Sequence, residues 1–454
     1  LYLLIFCRPS FIDLDKKKNH LTSSDNPKKK IKEVETMNTL STEKETSMMP
    51  LLISKLLFSI GFEYYIFNLD GSMILTNLLS IMLCFFYLFV YSNNTFKYLF
   101  IFSTFFLLDT FHSSSRLLNT FNGHSDCVYN IDYSTFSDSQ FICSGSKDKT
   151  VCVWDIDNKK QIQSFNGHSC AVGCVKFSPY HYHNYRSNVI CSSSADKTIR
   201  FWDCDNYKQL QLFNEHTSCI CGIELSPFNG GRYLCSGSRD KTIRLWDIET
   251  SKSLHVFNGH EKTVWCIDIS PLQSNNNNND NKSNNIGVIG GNGYTICSGS
   301  FDNTIRIWDI ETTKQLILFK GHKYWIRSVK YGPNELGNTI LSGSSDHSVR
   351  LWDIRSGQQI QVFNGHTSYV LSVEYSPFVV NNIKIGGNSN VICSGSRDNT
   401  IRFWDIRSNK DQLYSIKGGD EDNGITCFKF LYLKINRKYN LCYGSLNGLI
   451  HIWG

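Results

Sequence analysis

From Arg116 to Gly454 the chain says nearly the same thing seven times, and that repetition limits its fold more than any other feature. Histidines end FNGH-like tetrapeptides at His124, His168, His216, His260, His322 and His366. Tryptophans close the units at Trp154, Trp202, Trp246, Trp308, Trp352, Trp404 and Trp453. Several spacings, such as His124 to His168, equal 44 residues, the period of units that cannot bury an apolar face alone and must stack on their neighbours. Within each unit the apolar runs are short and β-branched, as in Thr198, Ile199, Arg200, Phe201 and Trp202, and Gly, Ser, Asp and Asn separate them. Such runs read as strands joined by tight turns, with no helical period.

The interruptions of this pattern read as loops. An Asn-rich insert around Asn275 to Asn279 lengthens the fourth unit between its first two strands. Smaller expansions at Tyr180 to Ser187 and Val379 to Asn390 occupy the same loop in the second and sixth. Seventeen cysteines look at first like a disulfide or metal set. Cys143, Cys191, Cys235, Cys297, Cys393 and Cys442, however, each precede an SGS-like triplet, one per unit, and a ring would hold them apart. They read as small buried apolar residues. Cys219 and Cys221 lack a second pair at zinc spacing, so no metal site is expected. A formal charge of +6 without a long basic block gives no ground for a direct nucleic-acid partner. This many unpaired thiols favour a reducing compartment, cytoplasmic or nuclear.

Ahead of the repeats the composition changes twice. Residues 1–50 are polar and charged, with lysine clusters at Lys16 to Lys18 and Lys28 to Lys30, and read as a disordered segment. Residues 51–111 are apolar, and Ile74 to Tyr91 is an uncharged run of 18 residues, just long enough to be a transmembrane helix. Two readings stay open for it. It anchors the protein in a membrane, or it is no part of the mature chain, since the first methionine is Met37 and the Phe, Ile, Leu, Tyr, Asn and Lys bias resembles translated AT-rich sequence. A single span would also place a lysine-rich tail and a thiol-rich domain on opposite sides of the membrane.

The FNGH, SGS and Trp-Asp landmarks together resemble the WD-repeat family, including the G-protein β subunit. The resemblance covers Arg116 to Gly454. It implies an all-β, seven-bladed β-propeller of four-stranded antiparallel blades over residues 112–454. The chain stops after the third strand of its last unit, so Arg116 to Phe121 is expected to supply the missing strand beside Leu449 to Trp453, closing the ring and removing an exposed sheet edge. The seventh unit departs from the pattern: Gly418, Gly419, Asp420 and Glu421 stand where GH is expected, and Asn447 replaces the turn aspartate. It is expected to be the softest blade.

Serine, histidine and aspartate recur together six times, whereas an enzyme needs one such set; no catalytic residue or cofactor is expected. A buried indole N–H needs an acceptor, and a serine hydroxyl can accept it while passing its own proton toward histidine and aspartate. By resemblance the sets are His124, Ser144, Asp148 and Trp154; His168, Ser192, Asp196 and Trp202; His216, Ser236, Asp240 and Trp246; His260, Ser298, Asp302 and Trp308; His322, Ser342, Asp346 and Trp352; and His366, Ser394, Asp398 and Trp404. The sequence leaves open which serine of each triplet takes part.

Family members present partner-binding residues just before the turn aspartate and three or five positions beyond the histidine. Here these are Lys147, Arg239, Phe301 and Arg397, with Tyr129, Trp265, Trp325, Arg327, Tyr369 and Leu371. Aromatics and arginines dominate interface energies, and the cations imply an acidic or phosphorylated peptide. The implied function is a protein-interaction scaffold within a complex, without a small-molecule substrate. Two further readings are kept. The WDIR sequences ending at Arg355 and Arg407 resemble the adaptor-docking box of cullin-ligase substrate receptors, and the apolar segment admits a membrane-tethered adaptor.

Overall fold

A computed structural model describes residues 106–134, 140–270, 294–333, 336–379, 390–408, 412–434 and 438–454. The segment 1–50 expected to be disordered, the candidate span 74–91, the Asn-rich insert and most of the sixth-blade expansion lie outside these residues. Among the described residues no helix is long and apolar enough to cross a membrane.

The described chain forms seven four-stranded antiparallel sheets arranged as the blades of a propeller. The first blade runs from Val128–Tyr133 through Phe141–Ser146 and Val151–Asp155 to Lys160–Phe165, and the next five follow the same plan. The turn between second and third strands is set by local chemistry. In the first blade Lys149 takes φ 76°, and Lys197, Lys241, Asn303, His347 and Asn399 repeat this left-handed step. The preceding aspartate holds each such turn, as where Asp148 Oδ1 accepts from the Thr150 amide at 2.9 Å.

The seventh blade pairs Ile425–Leu433, Lys438–Ser445 and Ile450–Trp453 with Leu117–Phe121, so the closing strand comes from the other end of the repeat region. Leu117 lies opposite Trp453 and Phe121 opposite Ile450. Arg116 and Gly454 extend this pairing by two backbone hydrogen bonds, 3.1 and 3.2 Å.

The core is divided among the interfaces between blades. Seven buried clusters line them, one for each interface; that between blades one and two holds Cys143, Val151, Val153, Phe165, Val172, Val175, Phe177, Ile190 and Trp202. Cys143, Cys191, Cys235, Cys297, Cys393 and Cys442 are fully buried in these layers and free of disulfides. The middle glycine of the SGS triplet keeps the gap narrow: a Cβ on Gly145 would lie 2.7 Å from Val172 Cγ1 and 2.9 Å from Val175 Cγ1. The phenylalanine of each FNGH tetrapeptide ends one blade's outer strand and packs on the next blade's tryptophan, with ring centroids 5.2 to 6.1 Å apart.

Two helices stand where no helical period is legible. Pro179–Tyr185 fills the second-blade expansion. Pro179 begins it with a preset φ, Tyr180 and His181 turn inward, and Arg186 ends it at φ 56°. Leu108–Ser114 precedes the closing strand and buries Leu108 and Phe111, three residues apart on one face. Phe111 stacks on Phe378 of the sixth blade with centroids 4.5 Å apart, and the backbone of Phe106–Leu107 pairs in parallel with Phe378–Val379. The segment therefore reaches blade six before supplying the outer strand of blade seven. Replacing Phe111 by Ala removes that ring and is expected to cost about 3 kcal/mol. A lowered denaturant midpoint with an unchanged slope is the expected result, and an unchanged midpoint would show that the helix contributes nothing to closure.

Candidate functional site

The recurring polar sets form chains of hydrogen bonds at the crossovers between blades. In all six, the tryptophan Nε1–H donates to the first serine of the triplet at 2.7 to 2.9 Å. That serine lies 2.7 to 2.8 Å from histidine Nε2. Histidine Nδ1 lies 2.7 to 2.9 Å from the turn aspartate. Where the histidine is neutral, the serine hydroxyl donates to Nε2 and Nδ1–H to the carboxylate, and every member is satisfied. The third serine of the triplet serves the loop instead, since Ser146 Oγ donates to the Asp126 carbonyl at 2.9 Å and accepts from the Asp148 amide at 3.1 Å. The aspartate also accepts from the residues after histidine, as from the Ser125 amide at 3.0 Å. Each set thus ties a crossover loop to the blade it enters.

The seventh blade carries a different network. Tyr443 replaces the first serine and donates to Asp422 at 2.9 Å, and Asp422 also lies 2.9 Å from His451 Nε2. His451 Nδ1 is 3.0 Å from Thr120 Oγ1 on the closing strand. Neither Asp420 nor Glu421 supplies the carboxylate; Asp422 does, fully buried.

The histidines differ in their proton affinity. Burial lowers His168, His260 and His322 below the usual value, and Arg200, Arg306 and Arg350 beside them oppose the aspartates that would raise it. These arginines lie 3.6 to 3.9 Å from Asp196, Asp302 and Asp346. The first blade has Cys152 at that position. Burial disfavours the charged form of His124 too, but Asp148 and Cys152 prevail and raise it to about 9.

Nine of the ten residues expected to meet a partner, all but Lys147, line one cavity of about 820 Å³ at a mouth of the central channel. Blades four and five furnish an aromatic stack: Trp265 and Phe301 lie 4.9 Å apart and 18° from parallel, and Phe301 and Trp325 lie 4.3 Å apart and 10° from parallel. The Arg327 guanidinium sits 4.9 to 5.1 Å from all three ring centres, a cation–π arrangement, and its Nε donates to Ser345 Oγ at 2.9 Å. Tyr129, Tyr369, Leu371, Arg239 and Arg397 complete this part of the wall. Lys147 stands outside it, 3.1 Å from Asp126. Both WDIR arginines are exposed, Arg407 with its guanidinium held by its own Asp405 at 2.9 and 3.0 Å.

The inner strands carry charged residues that the repeat landmarks do not reveal, and five of them, Lys176, Glu224, Lys330, Glu374 and Lys429, line the cavity. The fifth residue of each inner strand is charged: Asp132, Lys176, Glu224, Asp268, Lys330, Glu374 and Lys429. Lys176 pairs with Glu224 and Lys429 with Glu374, both at 2.6 Å. Lys330 reaches Asp268, Glu224 and Glu374 at 3.5, 3.7 and 3.9 Å. Burial alone would raise Glu224, but Lys176 and Lys330 bring it down to about 2, while burial prevails at Asp268 and raises it. The legible signal was a lone charge at one register position in strands that are otherwise largely apolar.

The WD domain, G-beta repeat family model matches residues 115–155, 159–203, 207–247, 251–309, 313–353 and 357–405, more than half of the chain. The chain belongs to the WD-repeat family. The six matches run from the closing strand Leu117–Phe121 to the third strand of the sixth blade and leave out the strands after Asp405, which include those of the seventh blade that depart from the pattern. Curated relatives include the WD repeat-containing protein WDS homolog of Arabidopsis thaliana, 43% identical over 61 residues, 13% of this chain and 12% of the relative. Methylosome protein WDR77 of Xenopus laevis is 39% identical over 75 residues, 16% of this chain and 22% of the relative. U3 small nucleolar RNA-associated protein 15 homolog of Xenopus tropicalis is 39% identical over 62 residues, 14% of this chain and 12% of the relative. This chain therefore spans less than a quarter of the length of each.

Two expectations follow for these WD-repeat networks. Because His168, His260 and His322 favour the neutral form, their share of stability is present above about pH 6.5 and is lost as pH falls below it. His124, with its raised value, contributes fully below about pH 6.5, and its share disappears as pH rises through about 9. Histidine-selective NMR should show His124 titrating highest of the four, and Cys152→Arg should bring it down; equal titration of all four would remove the arginine explanation. Secondly, Lys330→Met strands the buried Asp268, which pairs with no other lysine among the described residues, while Glu224 keeps Lys176 and Glu374 keeps Lys429, and is expected to cost about 3 kcal/mol. That cost should be largest above about pH 5 and shrink on acidification as the carboxylates take up protons, which denaturant midpoints between pH 3 and 8 would show; a pH-independent loss would mean that Lys330 acts through packing alone.

Proposed function

We propose that this propeller is a non-catalytic scaffold of a multiprotein complex, and that it receives an acidic or phosphorylated peptide segment of its partner at the channel mouth. The observation that carries this reading is the convergence of Trp265, Phe301, Trp325, Arg239, Arg327 and Arg397 on one open cavity. Trp325 and Tyr369 remain substantially exposed there, 42% and 37%, so the free protein leaves apolar surface in water that a bound segment would cover. The serine, histidine and aspartate sets offer no competing chemistry. Each histidine spends both ring nitrogens within its own chain of hydrogen bonds, and each serine hydroxyl is committed between histidine and indole.

Two relatives carry names consistent with assembly roles, one a methylosome protein and the other associated with a small nucleolar RNA. Fifteen free cysteines among the described residues suit a reducing, cytoplasmic or nuclear setting. The test compares partners captured from cells by the full chain and by its Trp325→Ala and Arg397→Ala variants. Loss of at least one partner from both variants, with denaturant midpoints unchanged, is expected. Identical partner sets from all three proteins would exclude the mouth as the binding surface.

A further inference from the structure

The third-strand arginines are neutralised within the fold: Arg200, Arg306, Arg350 and Arg402 each lie within 3.9 Å of a tetrad aspartate, and Arg244 lies 2.7 Å from Glu215. The three arginines of the channel mouth are not. Among the described residues no carboxylate pairs with Arg239 on the turn of blade three, Arg327 on the inner strand of blade five, or Arg397 on the turn of blade six. They share one cavity; burial is the main influence against the charge of Arg327, and Arg397 adds a smaller opposition. Lys147, at the equivalent turn of blade one, has Asp126 as its counter-ion and faces elsewhere. The floor beneath is paired lysine by carboxylate. Within the cavity, uncompensated positive charge therefore lies at the rim.

The fold provides for this repulsion without relieving it. Arg327 is held against Trp265, Phe301 and Trp325 and by Ser345 Oγ, contacts that fix the guanidinium but leave its charge unmet. Arg397 leans on Tyr369, 6.0 Å from the ring centre. A carboxylate brings one charge and two oxygens, enough for a single guanidinium fork. A phosphate monoester brings nearly two charges at pH 7 and three acceptor oxygens, which suits a cavity lined by three unpaired arginines from three blades better than a single carboxylate does.

We infer that the channel mouth is a phosphate clasp, in which Arg239, Arg327 and Arg397 hold the phosphoryl group of a phosphorylated side chain while the exposed face of Trp325 takes an adjacent apolar residue of the same peptide. This inference rests on the peptide-binding reading above and specifies its ligand.

The full chain, immobilised, is offered a degenerate library of phosphoserine and phosphothreonine peptides and the same library after phosphatase treatment. The phosphorylated library should be retained and the treated one lost. Retention should fall between pH 7.5 and pH 5.5, because the second ionisation of the phosphate lies near about 6, whereas a carboxylate ligand would keep its charge over that range. Arg239→Ala and Arg397→Ala should each weaken retention by about tenfold or more, and Arg186→Ala, on the blade-two helix, should not. Trp325→Ala should weaken retention of whichever library binds. Equal retention of both libraries, each lost in Trp325→Ala, overturns the clasp and leaves the peptide site standing. Retention of neither library, with inorganic phosphate still quenching tryptophan fluorescence, overturns the peptide site and leaves a free-phosphate site. Retention of neither and no response to phosphate overturns both.

Discussion

The hydrogen-bond chain from indole through serine and imidazole to carboxylate is the constraint on which the rest of the ring depends. It acts where the polypeptide leaves one blade and enters the next, the place where a repeat fold is weakest. A crossover loop has no ladder of its own, and its backbone N–H groups need partners if it is to stay near the core. The turn aspartate answers this need by accepting both from the histidine and from the amide after it, as Asp148 does from His124 and Ser125. Fixing the histidine fixes the loop, and fixing the loop sets the phenylalanine just before it against the next tryptophan. Polar satisfaction and apolar packing are thus coupled through a few residues, so neither can be lost alone. The seventh blade shows that the constraint belongs to the position and not to the residue types: with tyrosine for serine and Asp422 for the turn aspartate, a buried carboxylate still binds the crossover to its blade, and His451 carries the connection to Thr120.

Closure adds a second constraint. Six blades complete themselves with consecutive strands, but the seventh borrows Leu117–Phe121, and the helix before that strand packs on the sixth blade. The segment therefore lies across two blade interfaces, where separating the ring's ends would expose Phe111, Phe121 and the edge of Ile450–Trp453 together. At the channel, Lys330 touches carboxylates from three other blades. Such a network is costly to desolvate, and it is satisfied only when all contributing strands share one register. It therefore favours the closed ring over slipped arrangements more than it adds to stability.

Much of this was legible because it recurs. A landmark seen six times makes the resemblance to the WD-repeat family legible, and blade number, the closing strand and the tetrads followed from that resemblance. What did not recur was hidden. The helix Leu108–Ser114 sits at the end of an apolar stretch whose composition masks the Leu108 and Phe111 pair. Pro179–Tyr185 is too short to show a period, and Tyr180 and His181 are adjacent instead of helically spaced. Asp422 lies just beyond Asp420 and Glu421, the acids that stand where the motif leads one to look. The channel charges recur by position but alternate in sign, so a search for identical residues passes over them. Which serine of the triplet bonds the indole is a matter of strand pleat: the first and third point alike, and only their depth along the strand separates the partner of tryptophan from the partner of the loop.

The same division explains why the mouth stands apart from the remainder of the molecule. Positions facing the blade interfaces are held to one solution by packing on both sides, and the third-strand arginines are held to theirs by the tetrad carboxylates. The position before the turn aspartate faces neither. Across the seven blades it holds Lys147, Ala195, Arg239, Phe301, Ser345, Arg397 and Leu446, a set with no common size, charge or polarity. The fold therefore does not determine these residues, and their collective character has to come from something outside it. Of the seven, two cations lack a counter-ion, one aromatic ring joins the stack that supports Arg327, and one hydroxyl accepts from that same guanidinium. Four of the seven thus converge on a single feature, a supported cluster of unpaired positive charge, above a channel whose lysines and carboxylates are paired.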